Sequence, residues 1–90
     1  MNVCSWIVCE RGGRWTPALR LALEFDRTVR HRVREVRHLG ELAAEVAARP
    51  TSVVALEVHP SNFAESLDWL AQADRDYPQA GCVVLCDRAI

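Results

Sequence analysis

Three short apolar runs, each meeting a carboxylate, constrain this chain more than any other feature. They are Trp6-Ile7-Val8-Cys9 before Glu10, Val53-Val54-Ala55-Leu56 before Glu57, and Cys82-Val83-Val84-Leu85-Cys86 before Asp87. A run that is apolar on successive residues suits a strand whose sheet is covered on both faces, which is the situation in a parallel α/β sheet. In an open sheet of that kind, ligands sit outside the carboxyl ends of the strands. The acidic residues therefore mark one edge of the sheet as the place to look for function.

Helical patterns alternate with these runs. Val3 to Cys9 reads as a first strand, and Arg11-Gly12-Gly13-Arg14 as a flexible turn. Trp15 to Phe25 is predicted to be a helix, with Pro17 tolerated in its first turn and Trp15, Leu19, Ala22 and Leu23 on one face. Thr28 to Val36 reads as a charged edge strand. Leu39, Leu42, Ala43, Val46 and Ala47 follow helical spacing until Arg49-Pro50 ends the pattern. Ser52 to Val58 is a third, central strand. Pro60-Ser61-Asn62 opens a third helix with Phe63, Leu67, Leu70 and Tyr77 expected inward, Trp69 flanking them and Pro78 ending it. Cys82 to Cys86 is the fourth strand. Right-handed crossovers make the order βαβαβαβ a single α/β domain over residues 1–90, three-layered and flavodoxin-like, with a four-stranded parallel sheet in the order 2-1-3-4. In that order the last strand is an edge, yet it is as apolar as an interior strand.

Composition removes several classes of function. Half of the residues are apolar, enough for a modest core, but no run is long enough to cross a membrane. Met1-Asn2-Val3-Cys4 does not resemble a secretory signal, so the chain is expected to be cytoplasmic. A net charge of -1 gives no global attraction to nucleic acid or membrane. All eleven basic residues are arginine, which excludes any mechanism that depends on a lysine within these residues. The four cysteines form no CxxC and lie in or beside the apolar runs, so they are expected to be small buried hydrophobes rather than metal ligands or a disulfide. No cofactor is expected.

Trp6-Ile7-Val8-Cys9-Glu10-Arg11, followed by Trp15-Thr16-Pro17-Ala18-Leu19-Arg20-Leu21-Ala22-Leu23-Glu24, resembles the opening of a receiver domain of bacterial two-component response regulators. In that family the first strand ends in two acidic residues that hold magnesium; Glu10 matches one, and Arg11 stands at the other with a charge that opposes a divalent cation. The third strand of receivers ends in the phospho-accepting aspartate. The matching stretch, Leu56-Glu57-Val58-His59-Pro60, places Glu57 there, a carboxylate that could imitate a permanently charged state, with proline one residue earlier than the family has it. Cys86 stands where receivers carry a switch hydroxyl, and the family's fifth strand and its lysine have no counterpart. The resemblance is thus to a degenerate, non-phosphorylatable receiver, and implies a non-catalytic signalling or protein-interaction module. Its candidate functional edge is Glu57 with Glu10, Arg11, His59, Cys86 and Asp87.

Other chemistry can be read from the same residues. Glu10, Glu57 and His59 have the inventory of a metal triad, and the alternative to an interaction module is a small metal- or phosphate-dependent enzyme using them. The segment Arg27 to His38 is rich in arginine, but without interleaved aromatics a solvated edge strand is the preferred reading over a nucleic-acid surface. Gly12-Gly13 lacks the surroundings of a phosphate-binding loop. A protein partner or a second copy is expected at the Cys82–Cys86 strand edge, because an apolar edge strand is a template for pairing.

Overall fold

The computed structural model describes residues 3–86, and Asp87, one of the candidate site residues, lies outside them. Strands β1 (Val3–Cys9), β2 (Arg30–Val36), β3 (Val53–Glu57) and β4 (Gly81–Leu85) alternate with helices α1 (Trp15–Leu23), α2 (Leu39–Ala48) and α3 (Phe63–Asp76), the last entered through a 3-10 turn at Pro60–Asn62. The strands form one sheet in the order β2-β1-β3-β4, and every pairing is parallel. This is the α/β, flavodoxin-like arrangement expected from the alternation of patterns.

Successive residues of a strand point to opposite faces, so each strand feeds two layers. Ile7, Cys9, Val54 and Leu56 pack on one face with Leu42 and Val46 of α2, and Leu39, Trp69, Leu70 and Tyr77 close over them. On the other face Trp6 and Ala55 line an apolar groove with Trp15, Ala18 and Leu19 of α1. Register fixes the partition: Ile7 pairs with Val54 and Val54 with Cys82, whereas Val8 pairs with Ala55 and Ala55 with Val83.

Several details depart from the sequence reading. α1 stops at Leu23, because the N–H groups of Phe25 and Asp26 bond back three residues, to Ala22 and Leu23, and tighten the end of the helix. Ala22 is exposed and Thr16, not counted among the inward residues, is fully buried. In α2, Ala43 and Ala47 are exposed while Leu42 and Val46 carry the contact. The inward face of α3 is Ser66, Leu70, Ala73 and Tyr77 with Trp69, while Phe63 and Leu67 stand 43% and 50% exposed. Phe63 and Leu67 share a flank about 60–100° round the helix from Ser66 at 3.6 residues per turn. Cys82 and Cys86 are exposed, contrary to the expected burial, because no strand or helix covers that side of β4 among the described residues.

Ser66 is fully buried, and its hydroxyl finds no hydrogen-bond partner among the described residues. A buried hydroxyl without a partner keeps its desolvation penalty and returns nothing. Ser66→Ala should therefore stabilise the fold by about 1 kcal/mol, visible as a higher urea midpoint with an unchanged slope.

Candidate functional site

The carboxyl ends of β1 and β3 meet at the point where the chain order of the sheet reverses. Glu10 follows β1 there and Glu57 ends β3, but their carboxylates have different tasks. Glu10 is 2% exposed and turned toward the start of α1. Its Oε1 accepts the Trp15 N–H at 2.7 Å, and its Oε2 accepts the Thr16 N–H at 2.6 Å and the Thr16 hydroxyl at 2.5 Å. These are the unpaired donors at the head of the helix, and Pro17 contributes none. Arg14, at the N-cap position, offers no side-chain acceptor, so Glu10 supplies the cap from the preceding strand.

Burial pushes the Glu10 pKa up, but the Thr16 hydroxyl and the backbone N–H groups of Trp15, Thr16 and Arg14 outweigh it and hold the carboxyl below its ordinary value of 4.5. The helix dipole favours a negative charge at the same place.

Glu57 is the hub of the loops. Its Oε1 accepts the Arg11 backbone N–H at 3.1 Å and contacts His59 Nε2 at 3.0 Å, while its Oε2 accepts the Trp15 indole N–H at 3.0 Å. Its side chain is 13% exposed. One carboxylate thus ties together the β1–α1 loop, the first residue of α1 and the loop after β3. Asn62 holds that last loop in shape: its Oδ1 accepts the His59 N–H at 2.6 Å and its Nδ2 donates to the Glu57 carbonyl at 3.2 Å. The Arg11 guanidinium crosses to Ser61 Oγ at 3.2 Å, and Arg14 stacks over Trp15 at 4.7 Å from the ring centre. On the other side of the loop Gly13 has φ of 71°, and a Cβ there would meet the Arg37 guanidinium at 3.1 Å and the Glu35 carboxylate at 3.3 Å. Only glycine suits that turn.

The structure therefore brings Glu57, His59 and the Arg11 backbone into contact, and it directs Glu10 away from them into the helix. Cys86 is exposed just past β4. Beside Glu57 a cleft of about 350 Å³ opens between Arg11, Arg37, His38, His59 and Asn62. Among the described residues no three or more His, Cys, Asp or Glu side chains are grouped so as to hold a metal ion. The nearby Cys9 thiol is pushed up to about 11 by burial, with the charges of Glu41 and Glu57 adding to it, so it is not a ready nucleophile.

The arginine-rich stretch is partly neutralised where it lies. Arg34 pairs with Glu45 at 2.7 Å, Arg37 with Glu35 at 2.9 Å, and His31 Nε2 meets Asp26 at 2.8 Å. The Trp6 indole N–H, which can only donate, reaches His31 Nδ1 at 3.2 Å, and His31 Nε2 faces Asp26. No helix among the described residues is long and apolar enough to cross a membrane.

Sequence reasoning missed Trp15, Thr16 and Asn62 as members of this site. Thr16 before Pro17 reads as a helix entry in the sequence, yet the helix starts at Trp15, and the acceptor for its first donors comes from Glu10. Trp15 was assigned to the core by its spacing, and spacing does not reveal where its N–H points. No protein-family model, curated protein or solved structure matches this chain.

The low pKa of Glu10 has a defined consequence for stability. A carboxyl whose folded pKa is depressed contributes stability above its unfolded value, and that contribution disappears as pH falls through the folded value. Wild-type stability should begin to drop below pH 4.5, the ordinary value for this group. Glu10→Ala should be less stable at pH 7 by about 1–3 kcal/mol, with the gap to wild type narrowing as pH falls. Urea denaturation of both proteins between pH 7 and pH 3 measures this.

Proposed function

We propose that the chain is a non-catalytic, receiver-like protein-interaction module in which Glu57 occupies the place of the phospho-acceptor as a fixed charge. The observation that carries this reading is the set of donors on Glu57: the Arg11 N–H, the Trp15 indole and His59 engage both of its oxygens. A phospho-accepting carboxylate needs a free oxygen aligned with the donor phosphorus and cations to take up the developing charge. Glu57 instead spends its oxygens on holding loops together. Glu10 is likewise engaged by the start of α1, and Arg11 places a guanidinium where the receiver resemblance implies a second magnesium-binding acid.

In this reading the loops around Glu57 are held in one state and do not switch. Arg11, Ser61, His59 and Arg14 form the exposed or half-exposed rim of that locked surface, which is what a partner would meet. Signalling by such a module is by presence and docking, without a phosphorylation cycle.

Two measurements test the proposal. Intact mass after incubation with acetyl phosphate and magnesium should be unchanged; a gain of one phosphoryl group would overturn it. Glu57→Gln keeps the shape but leaves one carbonyl oxygen for donors that now use two, so it should shift the Trp15 indole N–H resonance and cost about 1–3 kcal/mol in stability. An unchanged indole resonance and an unchanged urea midpoint would show that Glu57 does not hold the loops.

A further inference from the structure

Two tryptophans line the apolar groove beside α1, and each is tied by its indole N–H to a polar group outside the groove. Trp15 donates to Glu57 Oε2 at 3.0 Å, and Trp6 donates to His31 Nδ1 at 3.2 Å. The two acceptors differ in kind. A carboxyl group keeps accepting capacity whether or not it carries a proton, whereas an imidazole nitrogen accepts only while it has none. Histidine is also the side chain that ordinarily changes charge between about pH 5 and pH 8. Of the two ties, the one to Trp6 is therefore the one a proton can undo.

The surroundings of His31 decide which of its contacts survives. Its side chain is 13% exposed, and its Nε2 lies 2.8 Å from Asp26 Oδ2. Asp26 is itself fixed, because its Oδ1 accepts the Thr28 N–H at 3.0 Å and the Thr28 hydroxyl at 2.6 Å. The Thr28 hydroxyl, then His31 and the Thr28 N–H, hold the Asp26 carboxyl well below its ordinary value of 3.8, so it stays an anion across the histidine range. Arg20 and Glu24, from the last turn and end of α1, and Arg30 of β2 line the same cleft. Arg20 is turned to the Val33 carbonyl, to which it donates at 3.2 Å. β1 brings Trp6 and the uncharged Cys4, which lies opposite His31 in the register. Counted with Asp26, the cleft carries two charges of each sign, and the carboxylate in contact with the ring sets its preference.

We infer that His31 is a proton-operated latch on Trp6: on taking a proton from solvent it stays with Asp26 and releases the indole. In the neutral ring, Nδ1 offers its lone pair to the Trp6 N–H. In the imidazolium both ring nitrogens carry hydrogens, so two N–H groups face each other across 3.2 Å and the contact is lost. The Asp26 contact becomes a full charge pair in the same step. Trp6 is one wall of the groove, so the latch sets whether that wall is held, while Trp15 keeps its tie to Glu57. The device is independent of the receiver-like reading.

The indole N–H resonances of the intact chain, followed by NMR from pH 8 to pH 5, test the latch. The Trp6 resonance should move along one sigmoidal curve whose midpoint matches that of the His31 Cε1 proton. His31→Asn keeps a side-chain acceptor but takes up no proton, and should hold the Trp6 resonance constant over the range. Asp26→Asn removes the anion that favours the imidazolium and should move the midpoint of the Trp6 curve down by about half a pH unit. His38→Gln, at an exposed position on the other side of β2, should leave the curve unchanged. A Trp6 resonance that stays fixed while His31 titrates, a wild-type Trp6 curve in His31→Asn, or an unchanged midpoint in Asp26→Asn would overturn the inference. If His31→Asn does not fold, the wild-type and Asp26→Asn titrations decide. The Glu57→Gln experiment reads Trp15 instead, so the failure of either idea is seen separately.

Discussion

A buried carboxylate at the head of a helix governs the geometry of this protein. Glu10 is fully inside, and a charge in that position is tolerated only because the Trp15 and Thr16 N–H groups and the Thr16 hydroxyl satisfy it. The same bonds fix where α1 begins and how it is rotated. Rotation in turn decides that the Trp15 indole N–H reaches Glu57 while the ring lies in the groove beside Ala18 and Leu19. The loop surface around Glu57 is a consequence of the way α1 is anchored.

The unequal finish of the two sheet edges follows from how the layers are built. β1 and β3 are interior, with α2 and α3 over one face and α1 over part of the other, and their residues Ile7, Val8, Val54, Ala55 and Leu56 are almost completely buried. β2 closes its side with arginines and the Arg20 contact. β4 has an interior strand's composition, yet among the described residues it pairs only with β3 and leaves Cys82, Val83 and Val84 exposed. The domain thus has a hydrogen-bonded polar corner around Glu57 and an apolar strand at one edge of the sheet.

Much of the fold was legible in the chain because it depends on local period and on chirality. Continuous apolar runs of strand length, helical spacing between them, and right-handed crossovers leave few arrangements, and the order 2-1-3-4 is the one formed. Errors arose where period alone had to choose a face. Phe63 and Leu67 are apolar at helical spacing and were placed inward, yet the register of α3 on the sheet turns Ser66 and Ala73 in, with Trp69, Leu70 and Tyr77 packed against the core. Cys82 and Cys86 were placed inside by analogy with other apolar runs, and the edge position exposes them.

The sequence by itself determined the succession of strands and helices, the parallel sheet, and the arrival of Glu10 and Glu57 at one edge, since all three follow from spacing along the chain and the fixed hand of the polypeptide. Only the tertiary structure decided what those carboxylates do. Glu10 and Glu57 are the same residue type at the carboxyl ends of their strands, one just after β1 and the other the last residue of β3. Their roles separate because the β1–α1 loop presents uncapped helix donors to one, whereas the neighbouring loops bring an indole, a backbone N–H and a histidine to the other, through bonds between residues as far as 46 positions apart in the chain.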